Sequence, residues 1–193
     1  MTDTDPQDGV GARLSEEVAA HIARLTRIVP DFPQRGVTFA DLTPVFADPA
    51  GLRAVVEGLA KAGQRGDVRH IDLVAGIDSR GFLLGSAVAL RLGTGVLAVR
   101  KGGKLPPPVH TRAYTLEYGT AALEIPASGI QFTGQRVLVI DDVLATGGTL
   151  AAAMDLLRTA GAQVAAAAVV LEIPDLKGRE RLGGVPLTVL SSG

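Results

Sequence analysis

One stretch of the chain decides the fold: Val137-Leu-Val-Ile-Asp-Asp-Val-Leu-Ala-Thr-Gly-Gly-Thr149. It begins as an uninterrupted apolar run, which is typical of a strand buried on both faces, and passes through a glycine turn into a helical pattern. Similar apolar runs alternate with helical patterns elsewhere, at 71–75, 96–99, 164–171 and 187–190. This alternation predicts an α/β fold with a mostly parallel, twisted sheet flanked by helices.

The turn that follows the strand has the composition of an anion-binding site. Gly147 and Gly148 allow the backbone to approach a ligand closely, and the free amides at a helix start favour a phosphate. The hydroxyls of Thr146 and Thr149 can add hydrogen bonds. A P-loop is excluded because it needs Lys where Thr149 stands, and the dinucleotide pattern Gly-x-Gly-x-x-Gly is also missing.

Asp141 and Asp142 stand between the strand and the turn. Two carboxylates beside an anion site require a cationic or hydroxylated group between them and the anion. A ribose 5-phosphate satisfies this requirement, because the turn would take its phosphate while the carboxylates face ribose hydroxyls or a hydrated Mg²⁺.

Composition narrows the class of protein. The chain has 193 residues, of which 47% are hydrophobic and 20% charged, so it is expected to fold as one globular domain. Nineteen basic residues balance 20 acidic ones, which gives no support for nucleic-acid or membrane binding. The absence of cysteine excludes disulfides and thiolate nucleophiles. A polar N-terminus and the lack of a long apolar stretch predict a cytoplasmic protein.

Local patterns predict how the chain is organised. Residues 1–12 are expected to form a disordered tail, with a single domain over 13–193. A helix is predicted from Ser15 to Val29, ended by Pro30, and another begins at Asp48-Pro49. The segment 102–119 is rich in glycine and proline and is predicted to be a functional loop. Residues 111–118, at its end, are predicted to pair with 121–125 as a hairpin around Gly119.

Several segments together resemble the type I phosphoribosyltransferase family. The stretch 137–149 resembles that family's motif for phosphoribosyl pyrophosphate (PRPP), in a form similar to its adenine-using branch. Other segments agree with that branch in the same order, and the likeness runs from about Leu14 to Leu190. These segments are 31–41, 75–82, 100–106, 114–119, 123–125 and 176–180.

The resemblance implies a fold and a reaction. It implies a small N-terminal hood, largely from 13–45, and a flexible loop, 102–119, that closes over the site and excludes water. The implied reaction is purine salvage, in which adenine and PRPP give AMP and pyrophosphate. Mg²⁺ is expected to arrive with PRPP, and Asp141 and Asp142 could reach it through water. A homodimer is also implied.

The same resemblance assigns roles to individual residues. Glu117 is the candidate for handling a proton near the purine imidazole, and Arg80 and Lys104 complete the implied catalytic set. PRPP and AMP binding is implied for Asp141, Asp142, Ala145, Thr146, Gly147, Gly148 and Thr149. Pyrophosphate binding is implied for Asp78, Ser79, Arg80, Lys101, Lys104 and Tyr118, with a cis peptide at Asp78-Ser79. Base binding is implied for Thr38, Phe39, Ala40, Val143 and Leu144.

The chain departs from the family pattern at a few positions, and two other functions stay open. Ala40 stands where the family commonly has Arg, which bears on adenine discrimination, and Pro107, Pro108 and His110 make the flexible loop unusual. One alternative is a phosphoribosyltransferase for another purine base. The other is a non-catalytic regulator that senses PRPP or purines, although the chain lacks the basic excess expected of a nucleic-acid-binding regulator.

Overall fold

A computed structural model describes residues 6–32, 34–64, 70–116 and 119–193, without the side chains of 6–15 and 115–119. The chain divides into two compact units, residues 1–58 and 59–193, which are described separately. No helix in the described part of the chain is long and apolar enough to cross a membrane.

The first unit contains short elements, and its first helix differs from the sequence prediction. Its elements are α1 (Pro6–Leu25), β1 (Arg27–Pro30), β2 (Thr38–Asp41), α2 (Thr43–Ala47) and α3 (Pro49–Ala60), the last of which ends beyond the unit boundary. Helix α1 begins at Pro6, so the predicted disordered tail is wrong for residues 6–12. The prediction depended on the general tendency of chain termini to be disordered, whereas a proline in the first turn is favourable for a helix start. The helix also ends at Leu25 rather than Val29, because 27–30 pairs with 38–41.

Strands β1 and β2 form an antiparallel pair that is joined by side chains as well as backbone. Arg27 lies opposite Asp41 in the register. Its Nε and Nη2 donate to Asp41 Oδ2 at 3.2 and 2.9 Å. The predicted start of α3 is confirmed, since Oδ1 of Asp48 accepts from the amide of Gly51 at 2.7 Å.

The second unit is an α/β unit around a seven-stranded sheet. Its elements are β3 (Leu73–Ile77), α4 (Arg80–Leu92), β4 (Gly95–Lys101), β5 (Val109–Leu116), β6 (Gly119–Pro126), β7 (Arg136–Leu144), α5 (Gly148–Thr159), β8 (Gln163–Glu172) and β9 (Leu187–Ser192). Short 3₁₀ turns span Lys61–Gln64, Pro174–Leu176 and Gly178–Leu182. The strand order is β5-β6-β4-β3-β7-β8-β9. Strands β4, β3, β7, β8 and β9 are parallel, and the hairpin β5–β6 is antiparallel, so the predicted fold class is confirmed.

The central strand β7 is longer than its apolar run. Residues 137–140 are fully buried, as expected for a parallel strand covered on both faces. The strand continues through Asp141 to Leu144 because β8 pairs with it as far as Glu172. The carboxylate pair, at the sixth and seventh of the nine residues, therefore lies within the strand and not in the turn after it.

The predicted hairpin is confirmed and is part of the sheet. Residues 109–116 pair with 119–126 along their whole length, and β6 in turn pairs with the end of β4. Arg112 Nη2 donates to Asp155 Oδ2 of α5 at 3.0 Å. Of the predicted loop 102–119, the described residues outside the strands are 102–108, and the start of this segment is fixed to β6, because Glu124 Oε2 accepts from the amide of Gly103 at 2.9 Å.

Candidate active site

The turn between β7 and α5 forms a concave pocket. About 310 Å³ of its space is free of protein atoms, including the open mouth. The lining is one continuous piece of backbone with two hydroxyl side chains and a carboxylate. The lining residues are Asp141, Val143, Leu144, Ala145, Thr146, Gly147, Gly148, Thr149 and Leu150. The structure thus brings the predicted anion turn together in one pocket.

Two glycines in close contact give the turn its shape. Gly147 precedes α5 with a φ of 78°, a conformation that costs other residues free energy. A Cβ on Gly147 would collide with the carbonyl oxygen of Gly178, and a Cβ on Gly178 would collide with that of Ala145. The turn therefore rests directly on the backbone of the 3₁₀ turn Gly178–Leu182.

Asp142 and Arg80 form an ion pair beside the pocket. Nε of Arg80, the first residue of α4, lies 2.7 Å from Oδ2 of Asp142, which is buried. No described residue donates to that oxygen at an acceptable hydrogen-bond angle, so the pair supplies charge compensation but leaves the acceptor unsatisfied. The pair therefore places one positive and one negative charge directly behind the pocket residue Asp141.

Asp141 has a strongly perturbed carboxyl group. Burial, and after it the negative charge of Asp142, raise the pKa of Asp141 well above its usual value. The amide of Asp142, which donates to Asp141 Oδ1 at 2.9 Å, and the charge of Arg80 act in the opposite direction. A carboxyl with a raised pKa at the edge of a pocket is typical of a functional site.

Close packing of α4 on the sheet brings Arg80 to this position. A Cβ on Gly81 would lie 2.8 Å from the carbonyl oxygen of Ile140, and a Cβ on Gly85 would lie 3.1 Å from Cα of Gly76. A Cβ on Gly76 would in turn collide with the carbonyl oxygen of Gly81. Without side chains at these three positions, the start of α4 reaches the carboxylate pair.

The loop between β3 and α4 is tied to the end of β4 through Asp78. Asp78 Oδ2 accepts from Nε of Arg100 at 3.0 Å and from the amide of Lys101 at 3.4 Å. The peptide between Asp78 and Ser79 is cis, as the resemblance implied. The Arg100 guanidinium also lies 5.5 Å from the centre of the Phe82 ring.

The other predicted residues that are described in the second unit differ in their exposure to solvent. Lys101 and Lys104 are exposed, beyond or at the end of β4. Glu117 and Tyr118 lie outside the described residues. Val143 and Leu144 line the pocket, and Leu144 also belongs to the buried core. The described residues contain no cluster of three or more side chains that could hold a metal ion.

The other predicted base-binding residues belong to the first unit. Thr38, Phe39 and Ala40 lie on β2, and the Phe39 ring meets the Phe32 ring edge-on, with centroids 5.2 Å apart. Their role in base binding stays a prediction.

The sequence interpretation missed the contact between Gly178 and the turn. A glycine between two charged residues, in Lys177-Gly-Arg179, was the available signal, but it is also compatible with an ordinary exposed turn. Only the packing of two segments that are about 30 residues apart in sequence shows the contact.

Comparison with known proteins shows the family of the chain. A family model described as "Phosphoribosyl transferase domain" matches residues 45–183. The adenine phosphoribosyltransferase of Mycobacteroides abscessus is 61% identical over 175 residues, which cover 91% of this chain and 96% of the relative.

Solved structures give the same result. The adenine phosphoribosyltransferase from Thermoanaerobacter pseudethanolicus matches with a TM-score of 0.84 at 40% identity, covering 91% of this chain and 99% of that chain. The enzyme from Saccharomyces cerevisiae, complexed with an imino-altritol bisphosphate and adenine, matches with a TM-score of 0.82 at 35% identity, covering 91% and 99%. The chain therefore belongs to the phosphoribosyltransferase family, among its adenine phosphoribosyltransferases.

Proposed function

We propose that the chain transfers the 5-phosphoribosyl group of PRPP to adenine, giving AMP and pyrophosphate. In this reaction N9 of adenine forms a bond to C1 of the ribose. The bond from C1 to the pyrophosphate oxygen breaks, the pyrophosphate leaves with the electron pair, and the N9 proton is lost. The observation that carries the proposal is the phosphate-type turn directly beside a carboxylate pair that is compensated by Arg80.

The turn would bind the 5-phosphate. Backbone amides at the start of α5 and the positive end of that helix favour an anion at this point. Hydroxyls of Thr146 and Thr149 lie in the same lining and can donate to phosphate oxygens. A phosphate held here leaves the ribose extending towards Asp141 and Asp142.

The carboxylates would orient the ribose. The carboxyl of Asp141, which lines the pocket, can accept from a ribose hydroxyl, and the ion pair with Arg80 holds the side chain of the neighbouring Asp142 still. Fixing the ribose at both its phosphate and its hydroxyls restricts C1 to one position, which is the main entropic contribution a binding site can make to such a reaction.

Positive charge would stabilise the leaving pyrophosphate. Arg80 follows the end of β3, Lys101 is the last residue of β4, and Lys104 follows it. Because β3 and β4 are adjacent parallel strands, these residues lie at the same edge of the sheet. Asp78 holds this arrangement through Arg100 and the amide of Lys101. Because the side chain of Asp78 is itself an anion, Asp78 is better suited to positioning these cationic groups than to binding pyrophosphate directly. We propose that Glu117 handles the N9 proton and that Tyr118 packs over the ligand.

The residues present fit a magnesium ion that arrives bound to PRPP. Mg²⁺ in proteins is held by one or two carboxylates together with substrate phosphates and water. Asp141 and Asp142 supply such carboxylates, and no all-protein cage is present among the described residues. When bound, the ion would neutralise pyrophosphate charge, with Asp141 and Asp142 holding it through water.

We further propose a homodimer in the cytoplasm. Leu83 and Leu90 of α4 are 63% and 84% exposed, and because they are seven residues apart they share one helix face. Val96 of β4 is 47% exposed. Exposed large apolar side chains of this kind mark surfaces that a partner covers, and a second copy of the chain is the proposed partner.

A steady-state assay tests the activity. Adenine, hypoxanthine, guanine and xanthine would each be supplied with PRPP and Mg²⁺, and nucleotide formation would be followed. AMP formed far faster than any oxopurine nucleotide is the expected result, and it would show that Ala40 is compatible with adenine specificity. Preference for an oxopurine would contradict the choice of base, and PRPP binding without turnover of any of these bases would favour a regulator.

A variant with both Asp141→Asn and Asp142→Asn tests the site. Losing both carboxylates should lower kcat/KM by about 100-fold or more, equivalent to nearly 3 kcal/mol of transition-state stabilisation. Asp175→Asn, at an exposed position outside the pocket lining, is the control and should keep the parental rate. Unchanged kinetics in the double variant would remove these carboxylates from the site.

A further inference from the structure

Glu172 is a buried carboxylate at the end of β8, beside the strand that carries the aspartates. It lies opposite Leu144 in the sheet register and is only 5% exposed. Nε and Nη2 of Arg179 donate to its two oxygens at 2.6 and 2.7 Å. This two-point geometry fixes the orientation of the guanidinium as well as its distance, which a lysine could not do.

Arg179 directly follows Gly178, the residue on which the turn Ala145–Gly148 rests. This turn, where the 5-phosphate is proposed to bind, is called the phosphate turn. A Cβ on Gly178 would lie 3.0 Å from the amide nitrogen of Gly147 and would collide with the carbonyl oxygen of Ala145. The ion pair therefore fixes the residue next to the backbone that supports the turn.

The supporting segment is held at further points. The amide of Ile173 donates to the carbonyl of Leu144 at 2.9 Å, and Leu182, at the other end of the segment, is 3% exposed in the core. Between these points, the Glu172 carboxylate is the buried charge that requires a partner, because an uncompensated buried carboxylate is strongly unfavourable. This requirement keeps Arg179, and with it Gly178, in place.

We propose that Glu172 and Arg179 are positioning residues that set the backbone of the turn Ala145–Gly148 for the 5-phosphate of the substrate. Neither side chain needs to touch the ligand. Their ion pair fixes Gly178, Gly178 fixes the carbonyl of Ala145 and the amide of Gly147, and these fix the direction of the phosphate-binding amides. The inference rests on the proposed function in identifying the bound anion as a ribose phosphate.

Arg179→Lys is the test variant, because it keeps the positive charge and loses the two-point geometry. Arg181→Lys is the matched control, since Arg181 lies in the same 3₁₀ turn with an exposed side chain. For each protein, calorimetry gives the affinity for ribose 5-phosphate, kinetics give the KM for PRPP and for adenine and kcat, and a melting curve gives Tm.

We expect Arg179→Lys to weaken ribose 5-phosphate binding, and to raise the KM for PRPP, by about tenfold, the lower end of the losses seen when a supporting shell is disturbed. The KM for adenine and kcat should stay within about twofold of the parental values. Arg181→Lys should leave every value unchanged. This split separates positioning of the phosphate site from general loss of structure, which would lower kcat and all affinities together.

Glu172→Gln is the second variant and serves if the lysine variant does not fold. It keeps the size of the side chain, loses its charge, and should show the same selective loss. Parental ribose 5-phosphate affinity in the folded variants, with or without a fall in Tm, would overturn the proposal. Because ribose 5-phosphate binding requires neither base nor turnover, a parental chain that binds it and forms no AMP would overturn the proposed function instead.

Discussion

At the scale of single residues, the site depends on side chains that are absent as much as on those present. Gly147 and Gly178 bring two backbone segments into direct contact, and Gly81 brings Arg80 to Asp142. A methyl group at any of these positions would have to displace backbone, which cannot move as a flexible side chain can. The phosphate turn and its charged neighbours therefore depend on these glycines.

Gly147→Ala tests this contact. The variant should weaken ribose 5-phosphate binding by at least about tenfold and destabilise the protein by roughly 1–3 kcal/mol, the usual cost of overpacking. Gly134→Ala is a matched control, because Gly134 has nearly the same φ, 79° against 78°, but nothing lies within 4 Å of its Cβ position. The control carries the backbone cost alone and should bind ribose 5-phosphate normally. If both variants lose ribose 5-phosphate affinity equally, backbone strain at positive φ, and not contact with Gly178, causes the loss.

Asp141→Asn should stabilise the fold while lowering turnover. Burial raises the pKa of Asp141, so above the unfolded-state value of 3.8 the folded chain holds a proton that the unfolded chain has released. The contribution of this group to folding stability therefore falls as pH rises above about 4, until the pH passes the raised pKa of the folded state. Asparagine is neutral at every pH and its Oδ1 can still accept from the amide of residue 142.

Melting curves across pH check this prediction. The variant and the parent should have similar Tm near pH 3.5, and the variant should have the higher Tm at pH 7. If the Tm difference between variant and parent is the same at both pH values, the charge of Asp141 does not cause it. If the variant has a lower Tm than the parent at pH 7, the raised pKa of Asp141 is contradicted.

At the scale of elements, strands are joined by side chains where their backbone pairing is short. Strands β1 and β2 have four residues each, and Asp41 joins them by accepting from Arg27. Hydrogen bonds from Thr43, with a smaller contribution from Arg27, lower the pKa of Asp41 to about 2 against the opposing effect of burial.

Asp41→Asn should reduce the loss of folding stability that occurs as pH falls from about 4 to 2. A folded pKa below the unfolded value of 3.8 means that Asp41 contributes stability fully above about pH 4 and loses it as pH falls through about 2. The variant should have a lower Tm than the parent at neutral pH, and the two curves should converge towards pH 2. Asp175→Asn, at an exposed position, is the control. Parallel curves for the Asp41 variant and the parent between pH 4 and 2 would refute the assignment.

At the scale of the whole molecule, apolar surface is the feature that internal packing does not account for. The chain is almost neutral, with a formal charge of −1, so repulsion between copies is weak. Leu83 and Leu90 present large apolar side chains on one helix face. Association of two copies would remove these side chains from water.

The double change Leu83→Asp and Leu90→Asp should therefore separate the proposed homodimer. Light scattering of the parent should give twice the mass of one chain, and the variant should give the mass of a single chain at micromolar concentration, because charges in the centre of an apolar interface are strongly unfavourable. Ile130→Asp, at a residue that is 39% exposed elsewhere in the unit, is the control and should stay dimeric. A dimeric double variant would place the interface elsewhere, and a parent with the mass of one chain would refute the dimer.

The sequence by itself determined the elements of the second unit and the position of the glycine turn for which phosphate binding is proposed. Apolar runs, glycine turns and helix starts are local signals, because side-chain periodicity and backbone freedom act within a few residues. They predicted β7, α5 and the β5–β6 hairpin, and they identified Asp141, Asp142 and the following turn as a site. Local signals failed at α1 and β1, where pairing with 38–41 outweighed the helical pattern of 25–29.

Only the tertiary structure decided how distant segments meet. The ion pair of Arg80 with Asp142, the raised pKa of Asp141 and the support of the turn by Gly178 each join residues that no short-range pattern relates. The physical reason is that burial, electrostatic fields and close backbone contact depend on the three-dimensional packing of the whole unit. The sequence therefore predicted the chemistry of the site, and the packing determined its shape and the surroundings that raise the pKa of Asp141.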